Sequence, residues 1–143
     1  MKIRATALVT TLAAVAAWPS LVSAEANSPE RQTITPAFRE AIPNIPGKSL
    51  VAIVVNYPPG GTTPAHYHPR SAFVTGYVLS GSIRSQVNDG KTQVFRAGES
   101  WTEPPGAYHS ISENASATEP ASLLAFFDID TIDSDRLVTL ERQ

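Results

Sequence analysis

The sequence predicts a single all-β domain of the sandwich or barrel class, and three observations support this prediction. Short runs rich in β-branched and aromatic residues recur from Ser49 onward, separated by Gly, Pro and Asn/Asp clusters. The length of 143 residues suits one domain, and the hydrophobic content of 42% is enough to build one core. Most of the 12 prolines lie between the runs, where they interrupt no strand.

The first 24 residues are typical of a signal peptide rather than of a retained anchor. Lys2 and Arg4 precede an apolar stretch that Pro19 ends, and Val22-Ser23-Ala24 fits a signal-peptidase site. Threonines dilute the apolar stretch, which is too short for a transmembrane helix. We therefore expect cleavage near Ala24 and a periplasmic or secreted protein without a membrane anchor.

Charge and cysteine content exclude several classes of function. Lys and Arg total 11 against 13 Asp and Glu, and this net charge of -2 offers no basic surface to nucleic acid or to an anionic membrane. The chain has no cysteine, so disulfides, thiolate metal sites and cysteine nucleophiles are ruled out. Any metal must bind to histidine and oxygen ligands, and the expected partner is a small-molecule ligand or substrate.

The elements are predicted in chain order. Residues 25–48 are expected to hold a polar lead-in and a first strand, residues 49–130 a barrel, and residues 131–143 a C-terminal helix or tail. The strands of the barrel are predicted at Leu50–Tyr57, Ala72–Leu79, Ile83–Asn88, Thr92–Arg96, Ser100–Glu103, Tyr108–Ser112 and Leu123–Ile129.

Two local signals complete the pattern of elements. Asn88-Asp89-Gly90 predicts a tight hairpin turn, because Asp-Gly supplies the positive φ angles that a right-twisted hairpin requires. Residues 133–143 have helical character, with Ser134 or Asp135 as the N-cap. We expect this short helix to pack on the outside of the barrel.

The three histidines carry the functional signal. His66 and His68 are two residues apart at the start of a predicted strand, so their side chains point to the same face. His109 follows a Pro104-Pro105-Gly106 turn and is placed to lie opposite the pair. Three neutral imidazoles on one face can bind a divalent first-row metal and leave positions open for water or substrate.

Two motifs around these histidines resemble those of the cupin superfamily. The first motif is matched by Gly60, His66-Tyr67-His68 and Tyr77–Gly81. The second motif is matched by Gly98, Pro104, Gly106, His109 and, one place later than usual, Asn114. The resemblance implies a double-stranded β-helix, which is a small jelly-roll barrel. It also implies that His66, His68 and His109 are metal ligands.

One departure from the cupin pattern concerns the glutamate that usually follows the first two histidines as a fourth ligand. Residues 69–80 contain no Asp or Glu, and the usual place falls among Ala72, Phe73 and Val74. Glu103 precedes the turn before His109 and can face this histidine across the returning chain. The arrangement is similar to that of cupin dioxygenases that cleave β-diketones, which hold three histidines on iron and a glutamate nearby. The site is completed either by water or by a carboxylate from elsewhere in the chain. The similarity favours Glu103 as a catalytic or positioning group beside the metal over Glu103 as a direct ligand.

Two functions from different classes remain open. The first is an exported metal enzyme that acts on a small oxygenated organic molecule. It would be dioxygenase-like with a redox-active metal, and an isomerase, lyase or hydrolase with zinc or manganese. The second is a non-catalytic metal- or ligand-binding module, because cupins include enzymes, sensors and storage proteins. The metal is expected to be Fe, Mn, Zn, Cu or Ni. The resemblance also implies a homodimer, with residues 34–45 as an interface strand.

Overall fold

The computed structural model describes residues 31–140, which form two antiparallel sheets. One sheet has five strands in the order β1-β2-β10-β5-β8, and the other has six, in the order β11-β4-β9-β6-β7 with β3 beside β9. The strands are β1 (Thr33–Ala41), β2 (Lys48–Tyr57), β3 (Thr62–Thr63), β4 (His66–Tyr67), β5 (Phe73–Ser80), β6 (Ser82–Val87), β7 (Gln93–Arg96), β8 (Ser100–Glu103), β9 (Tyr108–Asn114), β10 (Ala121–Asp130) and β11 (Thr139–Leu140). The predicted all-β jelly-roll architecture is confirmed.

Every predicted barrel strand is present, and only the ends move, by one or two residues. The largest extension is in β10, because this strand pairs with β2 along the whole length of both, from Ala121 opposite Tyr57 to Asp130 opposite Lys48. The first strand expected within residues 25–48 is β1, which pairs with β2 at the edge of the five-stranded sheet. The sequence therefore predicted where the strands lie but not how far the pairing of each strand extends.

The core lies between the two sheets and is built from alternate residues of the strands. The largest buried apolar side chains of this core are Val51, Val55, Tyr57, Val74, Val78, Ile83, Trp101, Leu123, Phe127 and Ile129. Burial of each aliphatic or Phe side chain stabilises the fold by roughly 1.5–3 kcal/mol relative to exposure. The period-two pattern of these positions is the reason that the segments form strands and not helices.

The predicted hairpin between β6 and β7 is confirmed, but its geometry differs in detail. The positive φ of the turn is at Asn88 (51°) and not at Gly90. The Asn88 side-chain oxygen accepts a hydrogen bond of 2.9 Å from the backbone N–H of Tyr108. Gly90 is required for a different reason, because a Cβ there would lie 2.8 Å from the backbone oxygen of Val87.

The predicted C-terminal helix is wrong for the part of this segment that the structure describes. Residues 131–133 form a single 3-10 turn, and Thr139–Leu140 form β11, which pairs with Tyr67 and His66 of β4. The exposed edge of β4 offers unpaired backbone groups, and pairing with them replaces the local helical preference. The C-terminal segment thus reaches the part of the barrel that holds the histidines.

The N-terminal prediction cannot be followed in the structure, because the predicted signal peptide, residues 1–24, lies outside the described residues. Within residues 31–140, no helix is long and apolar enough to cross a lipid bilayer.

Candidate metal centre

Strand pairing brings the three histidines together in the six-stranded sheet. His66 on β4 lies directly opposite His109 on β9, and His68 follows the end of β4. One possible ligand atom from each residue lies within 4.8 Å of the others. All three side chains are buried, with exposed fractions of 4% for His66, 6% for His68 and 4% for His109. The grouping that the motif spacing predicts is therefore present in the structure.

A β-bulge gives His109 its inward direction. Along β9, Ser112 pairs with Ser85 and Ile111 with Gln86, but the next residue of β6, Val87, pairs with His109. Ser110 is the additional residue that this shift of register leaves without a partner in the ladder. His109 and Ser112 are three residues apart, and in a regular strand they would point to opposite faces. The bulge allows both side chains to be buried, with 4% and 6% of their surfaces exposed.

Backbone carbonyls fix the rings of the first two histidines. The Nδ1 atom of His66 lies 2.8 Å from the carbonyl oxygen of Pro64, and Nδ1 of His68 lies 2.9 Å from that of Leu137. A carbonyl oxygen can only accept a hydrogen bond, so Nδ1 carries a proton in both rings, and in a neutral ring Nε2 keeps its lone pair. His109 is held differently, because its Nε2 lies 2.8 Å from the Ser85 hydroxyl.

Glu103 enters the same site from the five-stranded sheet. Its carboxylate is 2% exposed, and Oε1 accepts a hydrogen bond of 3.0 Å from the indole N–H of Trp101. Oε1 also lies 3.2 Å from Nδ1 of His109, and Oε2 lies 2.9 Å from Nε2 of His68. Glu103 on β8 is the direct cross-strand neighbour of Val74 on β5. The carboxylate thus lies beside Val74, which is one of the positions where the usual cupin glutamate is expected.

The contact between His68 and Glu103 tests whether the site fits a metal ion. Nε2 of His68 and Oε2 of Glu103 are buried, and neither has a hydrogen-bond partner although they are 2.9 Å apart. When the His68 ring is neutral with its proton on Nδ1, both atoms present lone pairs, and buried polar atoms without a partner are costly. A cation in contact with both atoms removes this repulsion. Three imidazoles and a carboxylate fit a first-row divalent metal, so the residues present suit such an ion.

The protonation states of the site also suit a metal. Burial lowers the pKa of His66, and it lowers the pKa of His109 to about 4, because the charged imidazolium loses its hydration. Burial raises the pKa of the Glu103 carboxyl, but its contacts with His68, His109 and Trp101 outweigh burial and hold this pKa below its usual value. Near neutral pH, His66 and His109 are therefore neutral and Glu103 is anionic, which are the states that bind metals.

A cavity of about 110 Å³ adjoins the histidines. Its walls are mainly apolar side chains of the barrel interior, including Ile53, Val55, Leu123 and Phe127. Sequence reasoning did not identify its second polar group, the hydroxyls of Tyr57, Thr63 and Ser112. One signal was available, because Tyr57 places a polar tip next to the apolar inward positions Val51, Ile53 and Val55 on β2. The inward direction of Ser112 could not be inferred, since it depends on the bulge.

Comparison with known sequences finds a cupin family model and relatives among germin-like proteins and oxalate oxidases. The family model described as "Cupin domain" matches residues 53–127. Germin-like protein subfamily 2 member 2 of Arabidopsis thaliana is 33% identical over 106 residues, which are 71% of this chain and 47% of that protein. Oxalate oxidase GF-3.8 of Triticum aestivum is 35% identical over 92 residues, which are 58% of this chain and 40% of that protein. The chain spans about half the length, or less, of these curated relatives.

Solved structures agree with the sequence comparison. The cupin domain of Schizosaccharomyces pombe Cnp3 superposes with a TM-score of 0.57 and 25% identity, over 75% of this chain and 67% of that one. The similarity extends beyond the strands that carry the histidines and covers most of the described barrel.

Proposed function

This chain belongs to the cupin family, and we propose that it is a metal-dependent enzyme acting on a small oxygenated organic molecule at a centre formed by His66, His68 and His109. The observation that carries the proposal is the unpartnered pair of buried atoms, His68 Nε2 and Glu103 Oε2, next to a cavity large enough for a molecule of a few carbon atoms. The dioxygenase-like reaction and export through residues 1–24 are parts of the same proposal.

Each histidine has a definite task in this proposal. The carbonyls of Pro64 and Leu137 keep the protons of His66 and His68 on Nδ1, so that each Nε2 is free to bind the ion. The Ser85 hydroxyl orients the His109 ring. A bound divalent metal supplies Lewis acidity toward a coordinated substrate oxygen and, if redox-active, a path for electrons.

We assign Glu103 to the metal as a fourth ligand. Trp101 fixes Oε1 through its N–H, while Oε2 faces the same His68 nitrogen that would bind the ion. Because the pKa of Glu103 is lowered in spite of its burial, the group is an anion that the neutral imidazoles of His66 and His109 do not neutralise. A divalent cation provides the missing positive charge. The carboxylate would then come from β8 and not from β5, where Val74 is buried.

A second function is favoured by a specific observation. The histidines belong to the six-stranded sheet, whereas Glu103 lies in the five-stranded sheet. An ion bound by both would connect the two halves of the barrel, which is what a structural metal does. A metal-stiffened module that binds a small ligand without turnover is therefore the alternative, and activity separates it from the enzyme.

Elemental analysis of residues 25–143, purified without tags or added metal, tests the metal centre. We expect about one Fe, Mn, Zn, Cu or Ni per chain, and His109→Ala should lose most of it while keeping a β-rich circular dichroism spectrum. Tyr67→Phe is the matched control, because Tyr67 lies between His66 and His68 and is 44% exposed. Wild-type metal content in His109→Ala would show that the assignment is wrong.

A strand swap tests the assignment of Glu103. Glu103→Val should lower metal affinity at least tenfold, and Val74→Glu added to it should restore a large part, because the two positions are cross-strand neighbours that are 1% and 2% exposed. Isothermal titration with Mn²⁺ or Zn²⁺ measures both changes. If Glu103→Val binds metal as well as wild type, Glu103 is not a ligand.

Oxygen-uptake and product assays distinguish the enzyme from the binding module. A protein containing Fe, Mn, Cu or Ni is screened for oxygen consumption with dicarbonyl and phenolic compounds, and a zinc protein for isomerisation and hydrolysis. Metal bound at full occupancy with no turnover in either screen would favour the module.

A further inference from the structure

The polar groups of the cavity fall into two clusters that are displaced along the same strands. His66 pairs with His109, and three residues away along each strand Thr63 pairs with Ser112. At about 3.3 Å per residue, the two pairs are separated by roughly 10 Å of backbone. Tyr57 joins Thr63 and Ser112 to form what we call the hydroxyl cluster. A ligand at the metal centre that extends along the strands meets this cluster next.

The hydroxyl cluster is a connected and uncharged set of groups. The Tyr57 hydroxyl lies 2.9 Å from that of Ser112 and 2.6 Å from that of Thr63, and the Thr63 hydroxyl donates to the side-chain oxygen of Gln32. Tyr57 is 2% exposed and Ser112 is 6% exposed. A serine hydroxyl can donate one hydrogen bond and accept two, so Ser112 keeps capacity for a ligand after its contact with Tyr57.

The described lining of the cavity contains no lysine or arginine. Its ionisable side chains are His66, His68, His109, Glu103 and Tyr57. Burial raises the pKa of Tyr57, which therefore stays a neutral hydroxyl. A carboxylate or phosphate placed against the hydroxyl cluster would be buried without an opposite charge, and this is unfavourable in an apolar barrel. The cavity thus accepts negative charge at the metal centre only.

Cavity volume adds a limit on ligand size. The space is about 110 Å³, whereas pockets for drug-sized ligands measure roughly 300–1,000 Å³. Sugars, nucleotides and flavonoid-like molecules are too large for it. A molecule with about four carbon atoms in a row is long enough to extend from the metal centre toward the hydroxyl cluster.

We propose that the substrate is a short-chain molecule that chelates the metal through two oxygen atoms at one end and places an uncharged hydroxyl group against Tyr57 and Ser112 at the other. The same lining excludes dicarboxylates and phosphorylated molecules that would place their second charged group against the hydroxyl cluster. The inference rests on the proposed metal centre, and it adds to it the chemical class of the molecule bound there.

Three C4 acids that share one chelating end test the inference. They are 2,4-dihydroxybutanoate, 2-hydroxybutanoate and malate, which differ in ending with a hydroxyl, a methyl or a carboxylate group. The protein is loaded with Co²⁺, and dissociation constants are read from changes in its visible absorption, which requires no turnover. We expect 2,4-dihydroxybutanoate to bind at least fivefold more tightly than 2-hydroxybutanoate, and malate at least tenfold more weakly than 2-hydroxybutanoate.

Variants of the hydroxyl cluster locate the preference. Ser112→Ala and Tyr57→Phe should each bring 2,4-dihydroxybutanoate and 2-hydroxybutanoate to within twofold of each other. Tyr77→Phe is the control, because Tyr77 is 44% exposed and is not among the lining residues, and it should keep the wild-type preference. Ser112→Ala removes only one atom, so the test survives if Tyr57→Phe does not fold.

The experiment distinguishes a failure of the proposed function from a failure of this inference. A protein that takes up no Co²⁺ overturns the proposed function, and this inference with it. A loaded protein that binds malate as tightly as 2-hydroxybutanoate, or binds none of the three acids below 10 mM, overturns this inference alone. An unchanged hydroxyl preference in both cluster variants overturns the role of Tyr57 and Ser112.

Discussion

Burial of His109 has a consequence for the metal-free protein in mild acid. Its pKa is lowered to about 4 from the ordinary value of 6.5, so between these pH values the unfolded chain binds a proton that the folded chain does not. The free energy of unfolding should therefore be fully retained above pH 6.5 and fall as the pH decreases toward 4. The loss from this group is at most about 3 kcal/mol.

Urea unfolding of EDTA-treated protein at pH 7.5, 6 and 5 measures this loss. His66 acts in the same direction, because its pKa is also lowered. Glu103 acts mainly below this range, since its lowered pKa contributes stability that is lost as the pH falls through the folded value. His109→Gln should flatten the profile, and a variant profile parallel to that of the wild type would contradict the prediction.

For single residues, the sequence predicted which side chains lie close together but not how their atoms are arranged. The motif spacing of His66, His68 and His109 was sufficient to group them. The expected alternation along one strand is not the reason, because β4 ends at Tyr67 and His68 lies just after it. The contact of His68 with the carbonyl of Leu137 joins residues 69 positions apart. No local pattern encodes such a contact, so the free Nε2 of His68 could not be predicted.

Among the elements, the bulge in β9 accommodates one extra residue without turning His109 away from the cavity. Deletion of Ser110 removes that residue and leaves His109 and Ser112 two residues apart, so both still face the cavity in a regular strand. We expect the deletion variant to keep most of its metal and a β-rich circular dichroism spectrum.

Deletion of Lys91 is the control for this prediction. Lys91 lies between β6 and β7, is exposed, and does not border the metal centre. Elemental analysis of both variants gives the comparison. Metal loss in the Ser110 deletion but not in the Lys91 deletion would contradict the prediction and show that the bulge itself shapes the metal centre.

The elements also show where local propensity loses to tertiary contacts. The strands of the barrel could be predicted because apolar alternation and turn residues agree along them. The C-terminal helix was wrong, because Leu137 packs against the core and Thr139–Leu140 pair with β4. In so short a segment, helical propensity stabilises the structure less than strand pairing and a buried side chain do.

For the whole molecule, metal binding should add to the stability of the barrel. The chain has no cysteine, so no disulfide connects the two sheets, and the metal centre draws its donors from both. Metal at 1,000 times its dissociation constant adds about 4 kcal/mol. For a domain of this size that raises Tm by roughly 10 °C or more.

Differential scanning calorimetry with and without EDTA measures this shift, and His109→Ala should show almost none. If chelation leaves the Tm of the wild type unchanged, the metal does not link the sheets.

The homodimer that the family resemblance implies stays a prediction. All nine residues of β1 are exposed at the sheet edge, which leaves this strand accessible to a second chain.

Trp101 gives the centre an optical reporter of its own. The chain has two tryptophans, and the other, Trp18, lies in the segment predicted to be removed. The Trp101 ring is 6.2 Å from that of His109, centroid to centroid, and its N–H is bonded to Glu103. Once residues 1–24 are removed, all tryptophan emission arises beside the metal centre. Loading with a paramagnetic ion would quench it, so that occupancy could be followed in the purified protein by intrinsic fluorescence.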